Sequence, residues 1–345
     1  VSSVHVVMPC YNYGRYLYEA AKSVLQQPGV DIHLLIIDDK SSDNTPEVCQ
    51  QLSSEDSRVT YIRHKANKGH IATYNEGLSL ATTDYVLLLS ADDLLTPGSL
   101  ARATALMDHN PSVGLAYGYA ISLRGTTLPP ARPDDSGWTI WKGRDWIARM
   151  CKTGKNFIVN PEAILRTSVQ HEIGGYRPSL PHSGDMEMWM RAAAISDVGY
   201  INGADQAYYR IHDASMQRTV HAGFLFDLKA RHAAFQSAFE SEAGRLPDAA
   251  LLLATARRSL GMAAIRRASE ALAFKQGEEV TVEAYCEFAL SLDPEIATTR
   301  LWHRLQRSRS NASGPVATAI ARGYSRLGEV ADKYAWRRWW HTGVY

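Results

Sequence analysis

Asp92 and Asp93 stand side by side directly after Tyr85-Val86-Leu87-Leu88-Leu89, a run with the composition of an interior strand. Adjacent carboxylates in such a place repel unless they are exposed, share a proton or bind a cation. Hard divalent cations take carboxylate oxygens and complete their shell with water and phosphate oxygens. The pair therefore suits a cation that neutralises a diphosphate leaving group. The structural alternative is a helix cap, since Pro97 opens a helix shortly afterwards. Asp38-Asp39 also ends an apolar run and offers acceptors to a nucleobase N–H or a ribose hydroxyl, while Ser42 and Asp43 suit the cap of the next helix. Tyr11 follows the first strand-like run. It can stack on a base, worth roughly 1–3 kcal/mol by analogy with nucleic-acid stacking, or simply pack. Asp185 opens a helical stretch with Glu187 close behind. A carboxylate there can take a proton from an acceptor hydroxyl or cap the helix. His212 ends Tyr208-Tyr209-Arg210-Ile211 and can ligate a metal, touch a diphosphate or be structural.

These residues need a scaffold, and the first 93 residues supply its pattern. Apolar runs at Val4–Met8, Ile32–Ile37, Val59–Ile62 and Tyr85–Leu89 alternate with helical spacing over Tyr16–Gln27, the stretch through Leu52, and Gly69–Ala81. Such alternation predicts a mostly parallel sheet covered on both faces. Ligands in open α/β sheets bind beyond the carboxyl ends of the strands, where Pro9–Asn12, Asp38–Ser42 and Ser90–Asp93 all fall. From Ser122 to Lys142 the pattern lapses into a Gly- and Pro-rich loop ending in Trp138 and Trp141; it is either functional or a surface insertion. Pattern returns over Asn160–Arg166, a helix from Asp185 to Ala194, and a last strand over Ala207–His212. After about His221 the composition turns helical, which divides the chain into 1–220 and an α-helical 221–345 serving acceptor, homo-oligomer or membrane-surface contacts. Ala284–Pro294 resembles the end of a helical-hairpin repeat, although one copy makes no array.

With 345 residues, 45% hydrophobic and 21% charged, the chain has an ordinary globular composition. A formal net charge of +1 argues against general nucleic-acid binding. No apolar run reaches the ~20 residues needed to span a bilayer, and the first residues carry no signal-like pattern, so a cytoplasmic location is expected. Cys10, Cys49, Cys151 and Cys286 are widely spaced, which predicts reduced, buried thiols rather than a zinc site or disulfides. The tail Trp336-Arg337-Arg338-Trp339-Trp340-His341 suits either a peripheral membrane contact or a terminal helix packing its Trp face on the protein.

Taken in order, the motifs from Val4 to Gln217 resemble the family 2 glycosyltransferases of the GT-A fold. The resemblance rests on Val7-Met8-Pro9-Cys10-Tyr11-Asn12, Ile37-Asp38-Asp39 through Thr45, Asn67-Lys68-Gly69 with Asn75-Glu76-Gly77, and Leu89-Ser90-Ala91-Asp92-Asp93. It continues through Gly174-Gly175-Tyr176, Gly184-Asp185 with Trp189, and Tyr209-Arg210-Ile211-His212. It implies a Rossmann-like mixed, mostly parallel sheet flanked by helices and an inverting sugar transfer from a nucleoside-diphosphate sugar (a UDP- or TDP-sugar) to an acceptor. It also implies that Pro9, Tyr11, Asp39, Asn67 and Asp92 contact the nucleotide sugar, that Asp92, Asp93 and His212 hold Mn²⁺ or Mg²⁺, and that Asp185 is the base. Two positions depart from the family pattern. Ser90 stands where many relatives have a first aspartate, and Gly184 replaces a frequent glutamate. These departures support the alternative of a catalytically silent nucleotide-sugar-binding module. A dinucleotide-dependent oxidoreductase would need a GxGxxG after the first strand, which Pro9–Gly14 does not provide.

Overall fold

The computed structural model describes residues 1–212, 223–274, 281–310 and 333–345. Strands β1 (Ser3–Cys10), β2 (Asp31–Asp38), β3 (Val59–Arg63) and β4 (Tyr85–Leu88) form the parallel half of one mixed sheet. Helices α1 (Gly14–Leu25), α2 (Thr45–Glu55) and α3 (His70–Ser79) are the crossovers between them. Val4, Val6, Leu34, Ile36 and Leu87 are almost completely buried on one side of the sheet, against Leu17, Ala21 and Val24 of α1. Helix α3 lies close on the opposite face. A Cβ at Gly77 would stand 2.2 Å from Val7 Cγ1, so only glycine permits that approach.

The second half of the sheet is mixed. β5 (Leu94–Leu95) leads through α4 (Ser99–His109) to β6 (Val113–Leu123) and β7 (Trp138–Trp141). Then follow α5 (Gly143–Thr153), β8 (Ile164–Arg166), α6 (Thr167–Ile173), α7 (Gly184–Ile195) and β9 (Asp197–Arg210). The strand order is β3-β2-β1-β4-β8-β6-β9-β5, with β7 paired to the first part of β9. β8 runs antiparallel to both β4 and β6, and β6 runs parallel to β9. β9 therefore points the same way as β1–β4, and its carboxyl end arrives at the same rim. β5 turns back antiparallel along Ala207 and Tyr208 of β9, which brings Asp92 and Asp93 beside Arg210.

Several expectations are corrected here. The lapse from Ser122 to Lys142 is shorter than expected, because Trp138–Trp141 is a strand pairing with Val198–Ile201. The last strand is 14 residues long rather than six, because Gly199, Asn202, Gly203 and Asp205 interrupt its apolar pattern while its backbone pairs with β6 on both sides of a bulge between Tyr200 and Asp205. Ser42 is no cap: α2 starts at Thr45, and it is Asp43 whose carboxylate accepts the Thr45 N–H at 3.0 Å.

Four more helices follow: α8 (Phe224–Phe239), α9 (Ala249–Phe274), α10 (Val282–Leu292) and α11 (Arg300–Ser310). Their buried Phe235, Leu260, Ile265 and Phe288 belong to one apolar cluster with Trp146 and Met150 of α5 and Trp189 of α7. The expected boundary at 220–221, Gln217 and His221 lie outside the described residues. Residues 333–342 form a final helix, α12. Trp339 is 4% exposed and donates its indole N–H to the Phe157 carbonyl at 3.0 Å, while the Arg132 guanidinium lies 3.9 Å from the centroid of the Trp340 ring. The tail thus packs part of its Trp face, while Trp336, Arg337 and Arg338 stay exposed. All four cysteines are free and buried. No helix among the described residues is long and apolar enough to cross a membrane.

Candidate active site

Hydrogen bonds between neighbouring loops stitch the rim together. Asn12 and Lys40 turn the chain out of β1 and β2 at φ 60° and 67°, values that Asn tolerates better than most residues. The Asn12 N–H donates to Ser41 Oγ at 2.9 Å, and the Ser42 N–H donates to Asn12 Oδ1 at 2.8 Å. Asp43 also accepts the Gly14 N–H at 3.0 Å, tying the start of α1 to the start of α2.

Asp39 organises the next part of the rim. Its carboxylate accepts the backbone N–H groups of Lys68 (2.7 Å) and Gly69 (2.9 Å), and it lies 2.7 Å from His64 Nδ1. The other ring nitrogen of His64 is 3.1 Å from Glu76, which also receives Lys68 Nζ at 2.7 Å. The Asn67 amide donates to the Asp39 carbonyl at 3.1 Å, and its oxygen accepts the Gly69 N–H at 3.0 Å. Asp39 and Asn67 thus shape the loop as well as facing the cavity. A carboxylate has room for about four acceptor contacts, so Asp39 can still accept one from a ligand.

Asp92 and Asp93 are not helix caps, because α4 begins at Ser99 behind Gly98. Asp93 is 3% exposed, and its carboxylate accepts the Arg210 N–H at 2.8 Å. Burial and the neighbouring Asp92 charge push its carboxyl well above the usual range. Asp92 Oδ2 lies 2.9 Å from His212 Nε2. The Arg210 guanidinium donates to the Asp92 carbonyl (2.8 Å) and to Glu19 (3.0 Å). Tyr13 and Tyr16 flank His212, with ring centroids 5.9 and 5.6 Å away.

Asp185 faces this cluster from the first turn of α7, where Ser183 is the cap position. Burial raises its carboxyl above the ordinary aspartate value, while the Tyr176 hydroxyl, near it but without a hydrogen bond of standard geometry, and the nearby His70 and His182 partly counter that. The glycine before it has a steric reason: a Cβ at Gly184 would stand 3.0 Å from Tyr176 Cδ1. Glu187 has a structural role instead. It is fully buried, paired with Arg177 at 2.8 Å and Arg191 at 2.9 Å.

One cavity of about 590 Å³ is lined by Pro9, Tyr11, Asp39, Asn67, Asp92, Asp93 and Asp185. His212 reaches it through Asp92. Tyr11 is 50% exposed, as an aromatic at a ligand rim rather than in a core would be. Sequence reasoning missed Arg15, His70, Tyr74, Asn160 and His182, which also line the cavity, and the His64–Glu76 pair behind Asp39. Arg210, quoted only as part of a motif, turns out to hold Asp92 and Asp93 in place. Among the described residues, no three His, Cys, Asp or Glu side chains converge into a preformed cation site. The donor set that does exist, one Asp92 oxygen and one His212 nitrogen, fits an ion that takes its other ligands from water and phosphate.

The architecture is that of the GT-A-like glycosyltransferases. Residues 1–349 of S. aureus TarS in complex with UDP-GlcNAc superpose with a TM-score of 0.65 at 15% identity, covering 94% of this chain and 92% of that one. The mannosyltransferase PcManGT from Pyrobaculum calidifontis, in complex with GDP-Man and Mn²⁺, gives 0.54 at 18% identity over 92% and 86%. Residues 5–172 match the model of Glycosyl transferase family 2, and the chain carries a domain of that family. The glycosyltransferase GlyG of Streptococcus pneumoniae is 32% identical over 120 residues, 34% of this chain and 40% of GlyG. The putative glycosyltransferase EpsE of Bacillus subtilis is 26% identical over 220 residues, 61% of this chain and 73% of EpsE. The chain thus spans well under two-thirds of GlyG.

Proposed function

We propose that the protein is an inverting glycosyltransferase that moves a sugar from a nucleoside-diphosphate sugar to an acceptor hydroxyl, assisted by Mn²⁺ or Mg²⁺. The observation that carries this is the shared cavity, with Asp39, Asp92 and Asp93 beyond strand ends and the partly buried Asp185 at the start of α7. The complexes of TarS with UDP-GlcNAc and of PcManGT with GDP-Man and Mn²⁺ support a nucleotide-sugar donor and a divalent ion.

In this reading Pro9, Tyr11, Asp39 and Asn67 receive the nucleotide. Asp92 and His212 would hold the ion, and Asp93, pinned by Arg210, would buttress them. When bound, the ion neutralises charge on the departing diphosphate. Asp185 takes the proton from the acceptor hydroxyl. The acceptor oxygen then bonds to the anomeric carbon as the bond from that carbon to the diphosphate oxygen breaks. Burial raises the proton affinity of Asp185 above that of an ordinary aspartate, as suits a base. Helix α8 sits behind the acceptor side, where Ser183 Oγ donates to the Ala230 carbonyl at 2.7 Å. This contact supports a share for residues 221–345 in choosing the acceptor. The exposed Trp336, Arg337 and Arg338 support a peripheral membrane contact.

The test is Asp185→Asn. Nucleoside-diphosphate binding should match wild type, while donor turnover falls by roughly 10²–10⁴. Turnover equal to wild type would remove Asp185 from the chemistry. A wild-type protein that binds nucleotide sugar with Mn²⁺ but neither transfers nor hydrolyses it would instead be a silent binding module.

A further inference from the structure

Asn160 is the third non-glycine residue with positive φ among the described residues, and at 113° it lies well outside the small left-handed region that Asn tolerates. Such strain persists only where the surroundings over-determine the backbone, and it gathers at ligand sites. Here the restraints are identifiable. Asn160-Pro161-Glu162-Ala163 is a turn closed by the Ala163 N–H to the Asn160 carbonyl at 3.0 Å. Glu162 Oε1 accepts the Val159 N–H at 2.9 Å, and the Phe157 carbonyl is held by the Trp339 indole at 3.0 Å. Pro161 supplies the φ that the first inner position of a turn requires. None of these restraints uses the Asn160 carboxamide. Among the described residues it makes no hydrogen bond, its Oδ1 is buried without a partner, and the residue lines the cavity. An unpaired buried polar group is unfavourable, so a strained backbone that holds one beside a cavity calls for a ligand. Glu162, two residues on, is within electrostatic reach of both Asp93 and Asp185. The turn therefore borders both the donor side and the base.

We propose that Asn160 reads the transferred sugar, its carboxamide hydrogen-bonding a sugar hydroxyl of the donor. The inference rests on the cavity being a nucleotide-sugar site and adds the residue that recognises the sugar rather than the nucleotide. An amide carries both donor and acceptor and so matches a hydroxyl, which is both. Its mount on a strained turn fixes its position without long side-chain torsions.

The test is Asn160→Gly, because glycine accepts φ 113° freely and relieves the strain while deleting the amide. Binding of UDP, GDP and TDP with Mn²⁺, hydrolysis of UDP-GlcNAc, UDP-glucose, UDP-galactose, GDP-mannose and TDP-glucose, and thermal midpoints would be compared with wild type. The expected result has three parts. The melting temperature is equal or higher, affinity for the bound nucleoside diphosphate changes by no more than about twofold, and kcat/KM on any accepted donor falls at least roughly tenfold. Unchanged kcat/KM would make the amide idle, and an equal loss of nucleoside-diphosphate affinity would make the turn a general support; either overturns the proposal. Wild-type protein that binds none of the three nucleotides would reject the nucleotide-sugar reading itself, and this inference with it.

Discussion

His212 Nε2 lies 2.9 Å from Asp92 Oδ2, joining the end of β9 to the turn after β4 across 120 residues of sequence. The contact depends on two topological facts: β9 runs with β6 toward the common rim, and β5 doubles back on β9. Arg210 reinforces it by donating to the Asp92 carbonyl from its side chain and to Asp93 from its backbone. Two side chains from distant elements are thereby brought within hydrogen-bond distance, and Asp93 is committed to the Arg210 backbone.

This division of roles gives the first prediction. Asp92→Asn should weaken Mn²⁺-dependent binding of nucleoside diphosphate by at least about tenfold, roughly 1.4 kcal/mol. Binding measured in chelator should stay near wild type. His212→Gln should act in the same direction with a smaller effect. Calorimetric titrations with and without Mn²⁺ check this; equal losses in both conditions would show that Asp92 acts on the nucleotide without an ion.

The second prediction concerns the pH response of the base. Burial raises the Asp185 carboxyl above its ordinary value, and the Tyr176 hydroxyl, first among the opposing influences, lowers it. Only the ionised form can accept the acceptor's proton, so kcat/KM should rise with pH through this raised value. Tyr176→Phe removes a group that favours the carboxylate. The acidic limb of the profile should therefore move to higher pH, with the plateau reached later. A limb that stays in place, or moves to lower pH, would separate Tyr176 from the tuning of Asp185.

The parallel half of the fold was legible because β4 and the later parts of β1 and β2 are buried and read as apolar runs with polar clusters at their ends, although the edge strand β3 is only partly buried. β9 was read at less than half its length. Asp197, Gly199, Asn202, Gly203 and Asp205 look like loop chemistry, yet Asp205 is answered by Arg132 and the glycines admit neighbouring side chains such as Leu106 and Ser136. β5, at two residues, leaves no pattern at all. Pro9, Tyr11, Asp39, Asn67, Asp92, Asp93 and Asp185, which line one cavity, stood out in the sequence because motifs mark strand ends and a helix start, which are local. Their supports did not, since His64, Glu76 and Asn160 acquire meaning only through contacts or backbone geometry that no spacing encodes. The glycine at 184, read from sequence as a departure, has a local reason: a Cβ there would stand 3.0 Å from Tyr176 Cδ1, so the ring would have to shift by a few tenths of an ångström to admit it.

Glu162 gives the last prediction, one of stability rather than rate. It is 2% exposed, one of its oxygens has no partner, and burial raises its carboxyl from 4.5 to about 7. Below pH 4.5 the group is protonated in both folded and unfolded chains, so it adds no pH dependence. Between 4.5 and about 7 the unfolded chain ionises it while the folded chain keeps the proton, so unfolding releases a proton and stability falls as pH rises. Above about 7 the folded state carries the whole burden of a buried charge, of the order of 3 kcal/mol for a shift of this size. Glu162→Gln keeps an oxygen for the Val159 N–H and removes the titration, but leaves an amide nitrogen to satisfy, which offsets about 1–3 kcal/mol of the gain. The informative quantity is therefore the pH dependence of the difference between variant and wild type. In urea unfolding at pH 4.5, 6 and 8, the variant should gain on wild type steadily from the first to the last. A constant difference across the three would mean that Glu162 is ionised in the folded protein throughout, with a counter-charge balancing its burial.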